Sequence, residues 1–331
     1  MRIFLAGGSG AIGRRLIPML CEAGHEVTAT TRSGGKLDTL RALGARPVLL
    51  EALDREAVHK AVIASKPEVV MHQMTDLANL KDFRHLERDV AATNRLRTEG
   101  TQTLLDAAKA AGAKRFIAQG NILWSNQRTG SRVKTEEDPL DDHPLRPMKA
   151  ALDAMRELER TVSTARGMIG IVLRYGSFYG PGTSIAPGGD VLEAVRARKI
   201  PIIGSGAGVW SWVHIDDAAR ATVLAINARR AGVYNIVDDE PAEVSAWLPD
   251  LAAAIRAKPP RHIPAWLGRL FVGEAGLCMM TQIRGSSNAK AKATFGWRPQ
   301  YQSWRTGFRE GLVVSEQVVP PSLQTLLAAP K

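Results

Sequence analysis

Cysteine is scarce: Cys21 and Cys278 are the only two in 331 residues, and no Cys or His cluster has structural-zinc spacing. Their scarcity excludes a disulfide framework and a metal-organised fold, and it points to a reducing cytoplasm. Aromatic residues make up only 5% of the chain, with four tyrosines, Tyr175, Tyr179, Tyr234 and Tyr301. No apolar run approaches the roughly eighteen residues of a membrane span, and the N-terminal run Ile3–Ala6 is too short for a signal-peptide core. A soluble, unprocessed protein without a membrane partner is expected. Charge is unbalanced, with 44 Lys and Arg against 33 Asp and Glu, a formal net charge of +11. The excess gathers after Arg256, where basic residues stand singly and acids are few. Such a charge suits a polyanion, an acidic membrane surface or an anionic small molecule, and composition alone does not choose among them. No nucleic-acid module accompanies the basic residues, so no nucleic-acid partner is expected.

What is present is an ordinary globular mixture, 45% hydrophobic and 23% charged, long enough for a two-lobed unit with a sizeable core. Short β-branched or apolar runs alternate with longer amphipathic stretches, the pattern of βαβ units. Strands are predicted at Arg2–Ala6, Glu26–Thr31, Arg46–Leu50, Val69–His72, Arg115–Gln119 and Ile169–Arg174. Helices are predicted at Gly13–Ala23, Arg55–Ala64, Arg95–Ala111 and Lys149–Ala165. The expected fold is α/β, a doubly wound parallel Rossmann-type sheet with a smaller, interleaved C-terminal substrate lobe. Residues 1–175 form the dinucleotide-binding part, with return segments near 207–237; 176–206 and 238–318 form the lobe, and 319–331 a tail.

Gly7, Gly10 and Gly13 follow the first strand and open the first helix. Glycines there permit a tight turn and close backbone approach, while helix-terminal N–H groups meet a pyrophosphate. The second strand ends Thr30, Thr31, Arg32, with no acid until Asp38. An acid there would select the ribose hydroxyls of NAD, whereas Arg32 suits the 2′-phosphate of NADP, so NADP(H) is expected over NAD(H).

On these residues and on several later motifs the chain resembles the extended short-chain dehydrogenase/reductase family, also called the NAD-dependent epimerase/dehydratase family. The motifs are LEALD (Leu50–Asp54), VVMHQMT (Val69–Thr75), EGTQTLLDAA (Glu99–Ala108), VLRYGSFYGPG (Val172–Gly182), WVHIDDAARA (Trp212–Ala221), YNIVDDEP (Tyr234–Pro241) and NAKAKATFGWRP (Asn288–Pro299). The resemblance implies further cofactor contacts from Ala11, Ile12, Glu51, Leu53, Gln73, Gln119, Tyr175 and Ser177. It also implies a homodimer through the helices at 95–111 and 149–165.

Family chemistry rests on a Ser and a Tyr-x-x-x-Lys pair, in which the Tyr exchanges a proton with the substrate and the Lys lowers its pKa. No Tyr-x-x-x-Lys occurs in this sequence. Aligned on Glu159, the two places hold Ala151 and Met155; aligned on Pro147, they hold Met148 and Leu152. Met148, Ala151, Leu152, Met155 and Val162 then form one helical stripe, a scaffold or dimer face. Gly120 in QGNILW stands where the Ser belongs. Replacement donors are sought in Asn121, Lys149 and Tyr179, with Lys134 as a further candidate, and His72 is read as structural. The arginine that clamps a nucleotide-sugar diphosphate is replaced by Trp210. Trp124, Trp210 and Arg284 are assigned to the substrate pocket, with Trp212, Trp266, Met279 and Met280 as further apolar lining.

The resulting reading is an atypical NADP(H)-dependent reductase or dehydrogenase acting on a small, largely apolar carbonyl or hydroxyl compound without the usual Ser/Tyr/Lys set. Two alternatives stay open. One is an epimerase, dehydratase or isomerase that retains its nicotinamide; the other is a catalytically silent NADP-binding sensor or scaffold.

Overall fold

The computed structural model describes residues 1–77 and 83–313. The proposed tail at 319–331 and the last residues of the proposed lobe lie outside them. Seven parallel strands form the main sheet: β1 (Arg2–Ala6), β2 (Glu26–Thr31), β3 (Arg46–Leu49), β4 (Val69–His72), β5 (Arg115–Asn121), β6 (Ile169–Tyr175) and β7 (Gly232–Ile236). Their spatial order is β7-β6-β5-β4-β1-β2-β3, with the order reversing beside β1. A doubly wound sheet of this kind binds ligands outside the carboxyl ends of its strands at such a reversal.

The strands are apolar on both sides because helices cover both faces. Ile3 and Leu5 of β1, Ile117 of β5, and Ile171 and Leu173 of β6 pack with Leu16, Ile17 and Leu20 of α1 (Ala11–Glu22) and with Ala218 and Ala221 of α5 (Ile215–Ala225). Alternating with them, Phe4, Val70, Phe116, Ala118 and Val172 turn the other way. They meet Val58 and Val62 of α2 (Arg55–Ser65), Leu104 and Leu105 of α3 (Thr101–Ala110), and Leu158 and Val162 of α4 (Arg146–Ser163). The period of two in each strand thus builds two separate cores.

The helix predicted over 95–111 is divided. Residues Ala91–Arg95 and α3 flank a wider π turn at Leu96–Gly100. The carbonyl of Leu96 accepts from Nε2 of the buried His72 at 3.0 Å, and Nδ1 of the same ring accepts from the Met74 N–H at 3.2 Å. The same carbonyl accepts from the Thr101 N–H that closes the π turn, so His72 and the helix share it. Both His72 nitrogens are therefore engaged, and burial pushes its pKa down to about 4.

The lobe has its own core, in which Tyr179, Leu192, Trp212, Trp247, Trp304 and Phe308 are buried together. It is interleaved with the sheet: the short strand Ser177–Tyr179 pairs with Trp212–His214, and the chain then runs through α5 into β7 at the sheet edge. The motif WVHIDDAARA serves this junction. Asp217 is fully buried and accepts from the N–H groups of Gln300 and Tyr301, while Arg15 of α1 lies 3.3 Å from Asp216 and donates to the Pro181 carbonyl. The last long helix, α6 (Ala265–Thr281), is broken at Gly273, whose φ is 68°.

Candidate functional site

The turn after β1 is built for close approach. A Cβ on Gly7, where φ is 91°, would lie 2.7 Å from the Gln73 carbonyl oxygen, and one on Gly13 would lie 2.5 Å from that of Gly7. Only glycine fits both positions, and the strand, turn and helix pack without a gap. The Gly7 N–H donates to Thr30 Oγ1 and the Gly8 N–H to the Thr30 carbonyl. Gly10 caps α1 without a side-chain hydrogen bond, and the first turn contains no acid. The residues of this turn fit the pyrophosphate of a nicotinamide dinucleotide: a cradle that any side chain would fill, at an uncontested positive helix end. Ala11 and Ile12 begin α1 beside it, with Ile12 buried.

Arg32 follows β2 and is exposed. Its guanidinium donates to Asp76, beyond β4, at 2.8 Å, and this bond together with the nearby Glu51 charge raises its pKa. Asp76 was not foreseen from the sequence; its only signal is its place just beyond a sheet strand that ends beside the glycine turn. Leu53 is half-buried at the adjoining edge of the core. Asp54, grouped with Glu51 in the sequence motif, instead caps α2 by accepting from the Ala57 N–H.

Gln73 leaves β4 beneath the Gly7 turn. Its Nε2 donates to the Tyr175 hydroxyl, which is also bonded to Thr222 Oγ1 at 2.6 Å, while Gln73 Oε1 is buried without a partner. Burial pushes the Tyr175 phenol upward, so Tyr175 supports Gln73 as a neutral hydrogen-bonding group. Gln119 is half-buried near the end of β5, and Ser177 lies beyond β6 with its Oγ buried and unpartnered.

Beyond β5 an apolar cluster occupies the region where the sequence places the missing relay. Trp124, Met148, Ala151, Ala275, Cys278, Met279 and Ile283 are buried in it, and Trp210 borders it. Ala151 and Met155 are each 2% exposed on the inward face of α4. The helix is locked in place by a buried pair in which Arg174 of β6 donates from Nε and Nη2 to both Glu159 oxygens, at 2.5 and 2.7 Å. The Met148–Val162 stripe is thereby spent on packing inside the chain. Lys149, Glu157 and Arg160 form the exposed side, which corrects the reading of that stripe as a dimer face.

The proposed donors separate. Asn121 ends β5 with a half-buried side chain whose Oδ1 accepts from the Leu123 N–H, so it shapes the turn toward Trp124. Lys149 points to solvent and pairs with Asp153, and the buried Lys134 pairs with Asp138. Tyr179 is wholly buried in the lobe core, edge-on to Trp212, His214 and Phe308, and is shielded from any reacting centre. Burial and the Asp238 carboxylate push its pKa upward, which further removes it as a proton donor.

The pocket residues divide as well. Trp210 donates from Nε1 to the Met279 carbonyl and stacks on Trp212, so it walls the cluster, while Trp212 lies in the lobe core. Trp266 is on the outer surface, 70% exposed, and is not a lining residue. Arg284 is half-buried and donates to the Arg128 carbonyl, fixing a loop. The sequence reading missed Arg128, which bonds Asp141 and Gln282 beside Cys278.

Comparison with known proteins accords with this architecture. Residues 3–237 match the model of the NAD dependent epimerase/dehydratase family. A 3-diazoavenalumate denitrifying reductase from a Streptomyces species is 43% identical over 309 residues, covering 93% of this chain and 99% of the relative. A Stigmatella aurantiaca ketoreductase acting on a farnesyl dihydroquinoline oxide is 27% identical over 252 residues, 75% of this chain and 71% of the relative. Among solved structures, UDP-glucose 4-epimerase of Thermotoga maritima superposes with a TM-score of 0.75 at 23% identity, covering 94% and 97% of the two chains. A human epimerase family protein solved with NADPH gives 0.72 at 21% identity, covering 94% and 99%. Family match, relative and fold agree: the chain belongs to the NAD dependent epimerase/dehydratase family.

Proposed function

We propose that this protein is an NADPH-dependent reductase that delivers hydride to a small aromatic diazo compound in its diazonium form, with loss of dinitrogen. The observation that carries the reading is that Met148, Ala151, Leu152 and Met155, the places either alignment gives the family relay, are all buried apolar residues, in a chain 43% identical to a denitrifying reductase of a diazo compound. A carbonyl that accepts hydride becomes an alkoxide and needs a proton at oxygen. A diazonium cation that accepts hydride at its terminal nitrogen becomes a neutral diazene. The N–H hydrogen of the diazene then moves to the ring carbon as the carbon–nitrogen bond breaks and dinitrogen leaves. Two electrons and one hydrogen are balanced without any side-chain acid.

A nicotinamide dinucleotide held by its pyrophosphate at the Gly7–Gly13 turn would supply the hydride. The chain's own residues bind and orient. Gly7, Gly10 and Gly13 would hold the pyrophosphate and Arg32 the 2′-phosphate, while Gln73 and Gln119, at the carboxyl ends of β4 and β5, would offer further polar contacts to the cofactor. Trp124, Met148 and Met279, with Trp210 at its border, form the apolar cluster against which an aromatic ring would pack, and such a surface would exclude water from a hydrolysable electrophile. Geometry then supplies most of the rate.

The test is NADPH oxidation with a diazotised aminohydroxycinnamate, an aromatic aldehyde and dTDP-glucose in parallel, with product identified by mass spectrometry. NADPH consumption with the diazo compound alone, giving the arene, is the expected result. Turnover of the aldehyde, the carbonyl class expected from the sequence, or of the sugar nucleotide without diazo reduction would overturn it.

A further inference from the structure

The first half of α6 carries large apolar side chains into water. Trp266, Leu270 and Phe271 are 70%, 67% and 62% exposed; Trp266 and Leu270 lie across the helix from Gly268, whose position packs against Ile203 so tightly that a Cβ would approach it to 2.3 Å. Beyond the break at Gly273 the same helix turns inward, burying Ala275, Cys278 and Met279 in the cluster beside Trp124. The exposed half is therefore an outward extension of the substrate wall.

Cations border this apolar face. Residues 256–273 contain Arg256, Lys258, Arg261 and Arg269 and no Asp or Glu. The parallel pairing of Ile202–Ile203 with His262–Ile263 brings a second basic segment alongside, Arg196, Arg198 and Lys199. Arg198 donates to the Pro259 carbonyl and joins the two loops. Glu193 pairs with Arg196 and Glu274 with Arg269, which leaves Lys199, Lys258 and Arg261 as exposed positive charge on the two joined segments, the second of which leads into α6.

We propose that this face docks on an anionic lipid bilayer, with Trp266, Leu270 and Phe271 seated at the headgroup boundary and the Lys199, Lys258 and Arg261 charges over acidic headgroups. An exposed apolar stripe rimmed by Lys and Arg is the arrangement that partitions into such an interface, where Trp is favoured and each cation adds attraction. No helix among the described residues is long and apolar enough to cross a membrane, so the association is peripheral. It departs from the sequence expectation of no membrane partner. Its consequence is that apolar molecules dissolved in the bilayer are presented to the helix that walls the substrate cluster.

The test is co-sedimentation of the full-length chain with vesicles of phosphatidylcholine alone and with about 30% phosphatidylglycerol, at low and high salt. Binding to the anionic vesicles should exceed binding to the neutral ones by at least about tenfold and fall as salt is raised. The Trp266→Ser/Leu270→Ser/Phe271→Ser variant should lose at least about tenfold, and Lys199→Glu/Lys258→Glu/Arg261→Glu as much, while both bind NADPH as the wild type does. Absence of vesicle binding by the wild type, or binding unchanged in the apolar variant, overturns the proposal. So does a wild-type dimer that the apolar variant dissociates without any vesicle binding, which assigns the face to a second copy.

Discussion

The Arg32 guanidinium bonds the Asp76 carboxylate at 2.8 Å and so ties the loop after β2 to the loop after β4, across the carboxyl end of the intervening β1. This places a carboxylate beside the cation proposed for a 2′-phosphate, and the two would compete for it. The Arg32 side chain is 64% exposed, so the pair itself is weak, worth under ~1 kcal/mol, and a bound 2′-phosphate would displace Asp76 at small cost. Asp76→Asn is expected to tighten NADPH a few-fold and leave NADH nearly unchanged. Arg32→Asp should weaken NADPH by about tenfold or more and NADH far less. Fluorescence titration with both cofactors decides; equal changes for the two would remove Arg32 from discrimination.

The glycine turn gives a second prediction. Gly13→Ala sets a Cβ 2.5 Å from the Gly7 carbonyl oxygen, a backbone atom that cannot swing aside. The α1 start must then move away from β1, so cofactor binding should fall at least about tenfold together with a loss of stability of about 1–3 kcal/mol. Gly10→Ala, whose Cβ would sit 3.4 Å from the same oxygen, should cost less on both counts. Denaturant midpoints and NADPH titrations of the two variants should rank in that order.

The sheet and this turn were legible because their residues answer to local rules. Strand β1 is bounded as expected, β4 likewise, and β5 and β6 run one or two residues past their predicted ends. The π turn at Leu96–Gly100 was hidden, since its Leu96 carbonyl is also bonded by His72, far away in sequence. The tryptophans were not separable either. Trp210 and Trp212 lie two apart on consecutive short strands, and their division between pocket wall and lobe core depends on which neighbour arrives, Met279 or Phe308. Trp266 carries the same chemistry and ends in solvent, because only tertiary placement tells the two faces of α6 apart.

Re-creating the family relay should not create activity. Ala151→Tyr/Met155→Lys inserts a phenol and an ammonium at positions only 2% exposed, on the packed inward face of α4. Overpacking costs about 1–3 kcal/mol and a buried unpaired Lys adds to it, unless the Lys deprotonates. Diazo turnover is expected to fall, and carbonyl turnover to stay absent. A variant as stable as the wild type that reduces aromatic aldehydes would show that the apolar wall alone had suppressed the ordinary chemistry.

The Arg174–Glu159 pair should be costly to break and cheap to replace. Arg174 Nη1 is already buried without a partner, so the ion pair is imperfectly satisfied. Glu159→Ala strands the guanidinium and should destabilise by about 3–5 kcal/mol. Arg174→Met/Glu159→Leu should recover most of that loss. Urea midpoints of the single and double variants separate a pair that specifies helix register from one that merely adds stability.

Acid should weaken the fold through its buried histidines. His72 is wholly buried, its Nδ1 accepts a backbone N–H, and burial holds its pKa near 4, below the 6.5 of an unfolded His. The unfolded chain therefore binds the proton first. His72 contributes nothing adverse above pH 6.5; as pH falls from there toward 4, stability is lost progressively, by about 3 kcal/mol in all, and below 4 the slope from this group ends. His214, also buried and lowered by desolvation, acts in the same direction and steepens the loss. Urea midpoints should thus decline between pH 7 and 5, with the His72 ring still neutral by NMR at pH 5. A flat midpoint over that interval, or a protonated His72 signal in the folded protein, would contradict the assignment of His72 as a neutral clamp between β4 and the π turn.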